Sequence, residues 1–199
     1  MVRFLFGFVA AVVIVLLTML CCVRFGFVDP RADAEVGVFE SKIAMPALDA
    51  AVERRAPNVA NPIQPTDENL MTGMRTYQNI CAGCHGDILH LHAAFGDAFH
   101  PRAPQFAEDA PDMPENQNFY IIQHGVRLSG MPAWKQALTD LQTWQLVTFL
   151  SDMDKLPPQV SAAWKAAASD GFGSAGANPS SDTTKTKMKE EKNMEMSAH

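Results

Sequence analysis

The chain begins with an apolar segment, continues with stretches in which apolar residues recur at helical spacing, and ends with a polar segment. Between Arg3 and Arg24 run twenty uncharged residues, which as a helix would span roughly 30 Å, the thickness of a membrane's hydrocarbon core. A cleaved secretory signal is the alternative, but its apolar region is usually about 7–15 residues long and lies close to the cleavage site. We therefore predict a transmembrane anchor over residues 1–28 that is retained and contacts membrane lipid.

The segment of residues 29–65 is predicted to be a linker. Within it, "PALDAAVERR" at 46–55 is compatible with a short helix that has Pro46 in its first turn. Three prolines among residues 56–65 then favour an extended path. At the other end of the chain, residues 169–199 are polar, and we predict a disordered tail because they have too little apolar surface to bury.

Helical periodicity marks three stretches in between. Thr66 is expected to cap a helix that ends at Cys81, with an apolar face of Leu70, Met74 and Tyr77. Residues 118–126 predict a short helix ended by Gly125. Residues 138–156 predict a helix stopped by Pro157 and Pro158. Its cap is Thr139 or Asp140, and its apolar stripe is Leu141, Trp144, Val147 and Leu150.

The motif "CAGCH" places Cys81, Cys84 and His85 together, which suits zinc, a redox disulfide or a covalent haem. Structural zinc needs further ligands, and His90 and His92 would supply them only if the chain folded back tightly. A thioredoxin-like pair would be expected in a βαβ context, whereas the flanks here are helix and loop. Haem attachment uses all three residues, since two thiols form thioethers and the histidine binds iron.

A second motif, "RLSGMPAW", supports the haem interpretation. Met131 lies 46 residues after His85, between Gly130 and Pro132. A thioether held in such a tight loop can face the open side of a haem, and His/Met ligation raises the reduction potential. Met113 is the other methionine in a loop that needs consideration.

These motifs resemble the class I c-type cytochromes in their membrane-anchored monohaem form. The resemblance covers Thr66 to Leu156 and rests on "CAGCH", "RAPQF", "HGVRLSGMPAW" and the helix around Trp144. It implies an all-α haem domain over residues 66–168 that carries one covalent haem c. It also implies that the first and last helices cross near Gly73, with Tyr77 packed against the region of Trp144 and Thr148.

The resemblance further implies roles for residues around the haem. The carbonyl of Pro104 would accept the proton of His85 Nδ1, which leaves Nε2 for the iron, and Pro101 is the weaker candidate for that role. His85 and Met131 would be the axial ligands of the iron. Arg102 and Trp134 would meet the haem propionates, with solvation at the surface as the competing role for Arg102.

Electron transfer is the leading functional hypothesis, without bond chemistry and so without enzymatic activity of the domain itself. One alternative is a fixed haem subunit of a larger oxidoreductase complex. Another is a haem sensor or peroxidase, in which a labile sixth ligand would exchange. The histidines His90, His92 and His100 keep that alternative open, because one of them could replace Met131 or bind a metal.

Met194, Met196 and His199 of the tail could bind copper, with a solvated tail as the alternative.

Charge and compartment complete these expectations. The formal net charge of −6 argues against nucleic acid as a partner. Residues 66–168 contain 6 Lys/Arg and 11 Asp/Glu, a balance of −5, which favours redox protein partners with a basic docking face. The resemblance implies haem attachment outside the cytoplasmic membrane of a bacterium. We therefore expect a single-pass protein of the inner membrane, with linker and haem domain in the periplasm, serving a respiratory or dehydrogenase chain.

Overall fold

The computed structural model describes residues 2–27, 30–35 and 37–170, which belong to two compact units divided between Ala34 and Glu35. Helices and turns account for the regular structure of the described residues, and no strand occurs among them. The all-α prediction is therefore confirmed. The predicted disordered tail lies outside the described residues, apart from residues 169 and 170, which belong to a helix.

The first unit contains the helix α1, Val2–Arg24, whose side chains are exposed throughout. Its 23 residues correspond to about 34 Å of helix. By length and apolar composition α1 is able to cross a membrane once, a criterion that a secretory signal near the N-terminus also meets.

The described residues of the second unit form six further α-helices and a short 3-10 helix, Ala94–Ala98. The α-helices are α2 Val38–Arg55, α3 Asp67–Ile80, α4 Ala82–His85, α5 Glu115–His124, α6 Asp140–Ser151 and α7 Pro158–Asp170. Thr66 caps α3, Gly125 follows α5, and Thr139 begins α6 with a reciprocal pair of hydrogen bonds to Gln142. These three boundaries agree with the sequence predictions.

The core of this unit forms where α3 packs against α6 and α7. Gly73 of α3 lies directly on α6, because a Cβ atom at that position would clash with the carbonyl oxygen of Gln145 and come within 2.8 Å of Phe149 Cβ. The predicted crossing near Gly73 is therefore present. Tyr77 packs against α6 in the predicted region, because its ring contacts Phe149, the residue next to Thr148, at a centroid distance of 5.5 Å. Its second aromatic contact, with Trp164 at 5.9 Å, was not predicted.

The C-terminal helix α7 was not predicted. Pro157 and Pro158 indicated only a stop, but Pro158 is also the first residue of α7, where a helix needs no N–H donor. The preceding helix α6 ends at Ser151 and not at residue 156. Its predicted stripe is buried except for Leu141, which is 56% exposed in the first turn of α6.

The helix α2 begins eight residues before the predicted helix of 46–55, so that Pro46 lies inside it and not in its first turn. Proline in a helix interior removes one hydrogen bond and costs roughly 3 kcal/mol. Many of the flanking residues are good helix formers, and Val52 is buried, since α2 contacts α5. The following linker segment is also attached to the domain, because Asn61 Nδ2 donates to Thr148 Oγ1 at 2.9 Å.

Candidate functional site

The turn α4 presents the three residues of the "CAGCH" motif together. Cys81 ends α3, with its N–H bonded to the carbonyl of Tyr77 at 2.8 Å. The carbonyl of Cys81 in turn accepts the N–H groups of Cys84 and His85, both at 3.0 Å. One helical turn therefore holds two thiols and an imidazole, as covalent attachment of a haem requires.

The ring of His85 is fixed from two sides. It stacks on Phe106 with a centroid distance of 4.4 Å and an interplanar angle of 3°. Its Nδ1 atom lies 2.8 Å from the carbonyl oxygen of Pro104. A carbonyl only accepts hydrogen bonds, so Nδ1 carries the proton and Nε2 keeps its lone pair. Burial lowers the pKa of His85, and the bond to Pro104 opposes that effect only in part. His85 is thus a neutral imidazole oriented as a metal ligand.

Tyr77 holds the backbone on the other side of this turn. Its hydroxyl donates to the carbonyls of His85 and Gly86, at 3.1 and 2.8 Å. Burial is the main reason that the pKa of Tyr77 is raised well above 10.0, and the neighbouring Cys81 and Asp87 raise it further. The phenol therefore remains a donor over the physiological pH range. Sequence periodicity identified Tyr77 as a core residue but gave no sign of these two bonds.

The two thiols lack the electrostatic environment of reactive cysteines. Burial, followed by the charge of Cys84, raises the pKa of Cys81 to about 12, and burial also raises the pKa of Cys84. Zinc binding and disulfide exchange both use a thiolate, which a raised pKa disfavours. In addition, residues 2–27, 30–35 and 37–170 contain no group of three or more His, Cys, Asp or Glu arranged for a metal ion. Among the three interpretations of the motif, haem attachment fits this site best.

The loop of Met131 is anchored to the end of α5. The Met131 carbonyl accepts the N–H of Val126 at 3.1 Å, and its own N–H donates to Ser129 Oγ at 3.1 Å. Gly125 has a φ of 65° and lies so close below the loop that a Cβ atom there would be 2.7 Å from the Met131 carbonyl oxygen. Glycine is needed here both for the backbone angle and for the space. The Met131 side chain is half-buried.

A short segment, the 94–99 segment, connects the two motifs. On one side Gly96 packs against the carbonyl oxygen of Cys84. On the other side the ring of Phe99 packs against Gly130, next to Met131, and Phe95 contacts Phe99 edge to face at 5.0 Å. The structure thus brings the "CAGCH" turn and the Met131 loop to the same segment, although they are far apart in sequence.

The surroundings of the two motifs also suit a large apolar group. Large apolar side chains in the segments that flank them are 48 to 91% exposed. These side chains are Leu89, Leu91, Phe95 and Leu128. Exposed apolar residues near an oriented imidazole and two thiols fit a porphyrin, which would cover apolar surface and use all three ligating atoms.

Two predicted neighbours of the haem have less defined positions. Arg102 is exposed, and Trp134 is half-buried against the hydrophobic core. The Trp134 backbone N–H donates to the carbonyl of Ile122 at 3.0 Å, which fixes the end of the Met131 loop. Contact of Arg102 and Trp134 with haem propionates stays a prediction. Phe99 is a site residue that the sequence did not identify, since an aromatic residue in a loop has no periodic signal. Phe106 belongs to the motif "RAPQF", but its stacking on His85 was not predicted.

Each histidine of the loop after the motif contacts a carboxylate. His90 Nδ1 lies 3.1 Å from Asp87, and His92 Nε2 lies 2.8 Å from Asp97. His100 Nε2 lies 3.0 Å from Glu40 of α2. These contacts give the three histidines local roles and so favour the interpretation as polar loop residues. The copper site suggested for Met194, Met196 and His199 lies outside the described residues.

Comparison with known proteins supports the same assignment. The family model described as "Cytochrome C oxidase, cbb3-type, subunit III" matches residues 68–150, which include both motifs. None of the curated proteins compared with the chain matches it. The matched region, the all-helical fold and the geometry around His85 agree, and a c-type cytochrome domain implies haem c and haem-based electron transfer. The family match thus supports a class I c-type cytochrome domain over residues 68–150.

Proposed function

We propose that the domain is an electron carrier with one haem c, held by thioethers from Cys81 and Cys84 and by His85 and Met131 as axial ligands. When bound, this group supplies a one-electron Fe(III)/Fe(II) couple. The observation that carries the proposal is the His85–Pro104 hydrogen bond, because it leaves Nε2 of His85 available on the same turn as the two thiols.

Ligation from both sides favours electron transfer over catalysis. If His85 and Met131 both bound the iron, no coordination position would be open to a substrate. A sensor or peroxidase would need a sixth ligand that leaves, and the extra histidines were the sequence feature that suggested one. Each of these histidines contacts a carboxylate, of Asp87, Asp97 or Glu40, and these contacts support the role of an electron carrier over that of a sensor or peroxidase.

Covalent attachment is tested by mass spectrometry of the denatured protein purified from a host that attaches haem c. The wild type is expected to carry the mass of one haem after denaturation. The double variant Cys81→Ala/Cys84→Ala should lose it, while the matched control Cys21→Ala/Cys22→Ala should keep it. Haem retained by the denatured Cys81→Ala/Cys84→Ala protein would rule out attachment at this motif.

We further propose that α1 anchors the protein in a bacterial inner membrane, with the haem domain in the periplasm. Attachment of c-type haem outside the cytoplasm is the reason for this orientation. A tether also keeps the domain at high effective concentration near membrane partners. The mass of the purified mature chain tests the anchor: a chain that retains residues 2–24 supports it, and a chain that begins after residue 34 would mean that α1 is a cleaved signal.

A fixed haem subunit of a larger complex is the second candidate. The matched family model is favourable to it, because its description names a subunit of an oxidase. Both candidates place an acidic domain against redox proteins with a basic face. Mild detergent extraction of native membranes, followed by native electrophoresis with haem staining, distinguishes them. A carrier should migrate alone, whereas a fixed subunit should migrate with other chains at constant stoichiometry.

A further inference from the structure

The helix α7 begins after the segment that matches the family model, yet it supplies a central residue of the core. Trp164 of α7 is only 2% exposed. Its ring meets Tyr77 and Phe149 edge to face, with centroid distances of 5.9 and 5.1 Å. Because Tyr77 donates to the carbonyls of His85 and Gly86, Trp164 supports one of the residues that hold the "CAGCH" turn.

Trp164 also makes a polar contact inside the core. Its indole N–H donates to Gln78 Oε1 at 2.9 Å. The amide of Gln78 then donates from Nε2 to Asp87 Oδ2 at 3.4 Å. Gln78 is 4% exposed and Asp87 is fully buried, so neither side chain can exchange these partners for bulk water. A buried chain of hydrogen bonds thus runs from α7 through α3 to the residue that follows Gly86.

Asp87 uses its other oxygen to close the loop after the motif. Its Oδ1 accepts the N–H groups of Leu89 and His90, at 2.9 and 2.8 Å. The Asp87 N–H donates to the carbonyl of His90 at 2.8 Å, which completes a tight turn. The position of the Asp87 carboxylate therefore determines the path of residues 87–90, directly beside the proposed haem attachment site.

We propose that Trp164 is a positioning residue for the haem-attachment loop: through Gln78 it orients the Asp87 carboxylate, and so α7 sets the conformation and the charge environment beside His85. A buried carboxylate stabilises nearby positive charge, and its influence depends on the donors that share its own charge. The alternative is that Trp164 only fills space in the core. The part of the proposal that concerns the haem rests on the proposed function, whereas the loop conformation does not.

The substitution Trp164→Phe separates these roles, since phenylalanine retains an aromatic ring but has no N–H donor. Trp144→Phe is the matched control. Trp144 is also buried, and its ring stacks on that of Phe119 at a centroid distance of 4.1 Å, but its indole lies outside the chain of hydrogen bonds. Gln78→Met is the second variant, which leaves α7 unchanged and removes both contacts of Gln78. All are made in the full-length holoprotein.

Amide hydrogen exchange of residues 87–90 is the first measurement. We expect exchange about tenfold faster in Trp164→Phe and Gln78→Met than in wild type, as for loss of one buried hydrogen bond. In Trp144→Phe it should remain within about twofold of wild type. Equal exchange in Trp164→Phe and Trp144→Phe, or no change in Gln78→Met, would overturn the proposal. This test is valid whether or not the haem is attached as proposed.

The midpoint potential of the haem is the second measurement. It should fall in Trp164→Phe and Gln78→Met, because the Asp87 carboxylate loses a donor that shares its negative charge. The potential of Trp144→Phe should match wild type. Faster exchange without any change of potential would overturn the part of the proposal that concerns the charge environment beside His85. Absence of covalent haem from the wild type would instead contradict the proposed function.

Discussion

His85 and Phe106 contact each other through both ring and backbone: the two rings stack at 4.4 Å, and the Phe106 N–H donates to the His85 carbonyl at 2.9 Å. Two residues earlier, the carbonyl of Pro104 accepts the proton of His85 Nδ1. Residues 104–106 therefore hold the backbone, the ring plane and the tautomer of one histidine. Such constraints on a metal-binding histidine fix its orientation and increase the basicity of the free nitrogen.

Replacing the proposed sixth ligand should leave the sixth coordination position of the haem iron vacant. Met131→Ala is expected to lower the midpoint potential and to permit carbon monoxide binding to the reduced haem, because the methionine sulfur is lost. Met113→Ala is the matched control, since Met113 is another half-buried methionine in a loop. Optical spectra with and without carbon monoxide provide the measurement. A Met131→Ala protein that does not bind carbon monoxide would contradict ligation by Met131.

The contact of α3 with α6 depends on the absence of a side chain at Gly73. Alanine normally favours a helix over glycine by about 1 kcal/mol, but here its Cβ would meet the Gln145 carbonyl. Gly73→Ala should therefore reduce the free energy of unfolding by about 2–3 kcal/mol. The control Asn79→Ala, at an exposed position of the same helix, should change it by less than about 0.5 kcal/mol. Denaturant titration measures both, and a stabilised Gly73→Ala protein would contradict the crossing.

The pair of His92 and Asp97 should make a small pH-dependent contribution to stability. The hydrogen bond to Asp97, and then its charge, raise the pKa of His92 above 6.5 in the folded protein. The contribution is therefore present in full below the unfolded value of 6.5, and it disappears as the pH rises through the folded pKa.

Thermal unfolding at several pH values tests this expectation. The difference in melting temperature between wild type and His92→Gln should be largest below the unfolded pKa of 6.5 and should decrease as the pH rises through the folded pKa. Asp97→Asn should remove most of this pH dependence, and the remainder is expected from Glu108, which also raises the pKa of His92. A difference that instead grows with pH would show that this pair is not formed in solution.

The acidic charge of the haem domain should control its encounters with redox partners. Residues 66–168 carry a balance of −5. The rate of electron transfer with a cationic cobalt or ruthenium complex should fall as salt is added, because screening weakens attraction. With anionic ferricyanide the rate should rise. Stopped-flow kinetics over a range of ionic strength measures both, and equal slopes would exclude steering by the net charge.

The local parts of the fold were accessible from sequence. The caps at Thr66 and Thr139 and the end of α5 at Gly125 depend on neighbouring residues alone, and each is present. The helix α7 was missed because Pro158 looks the same whether it ends one helix or begins the next. Trp164 of α7 therefore contacts Tyr77 in addition to Phe149, which lies next to Thr148 in the region that the resemblance assigned.

The candidate site also has parts that short motifs predict and parts that depend on tertiary packing. The residues of "CAGCH" and the loop at Met131 are visible as short motifs, and the resemblance implied the contact of His85 with Pro104. The partner of His100, Glu40, lies 60 residues away on a helix whose start was not predicted. The buried chain of hydrogen bonds through Gln78 could not be predicted either, because Trp164 and Gln78 are 86 residues apart and neither belongs to a motif. Contacts of this kind depend on tertiary packing, which a single sequence does not specify.

An optical redox titration of the purified holoprotein, with carbon monoxide as the probe, tests the central claim most directly. We predict a positive midpoint potential, a methionine–iron charge-transfer band in the oxidised state and no carbon monoxide binding in the reduced state. That result would identify an electron carrier with His85 and Met131 as ligands. A low potential, or ready binding of carbon monoxide, would contradict it and would show that the sixth position is open or held by another residue.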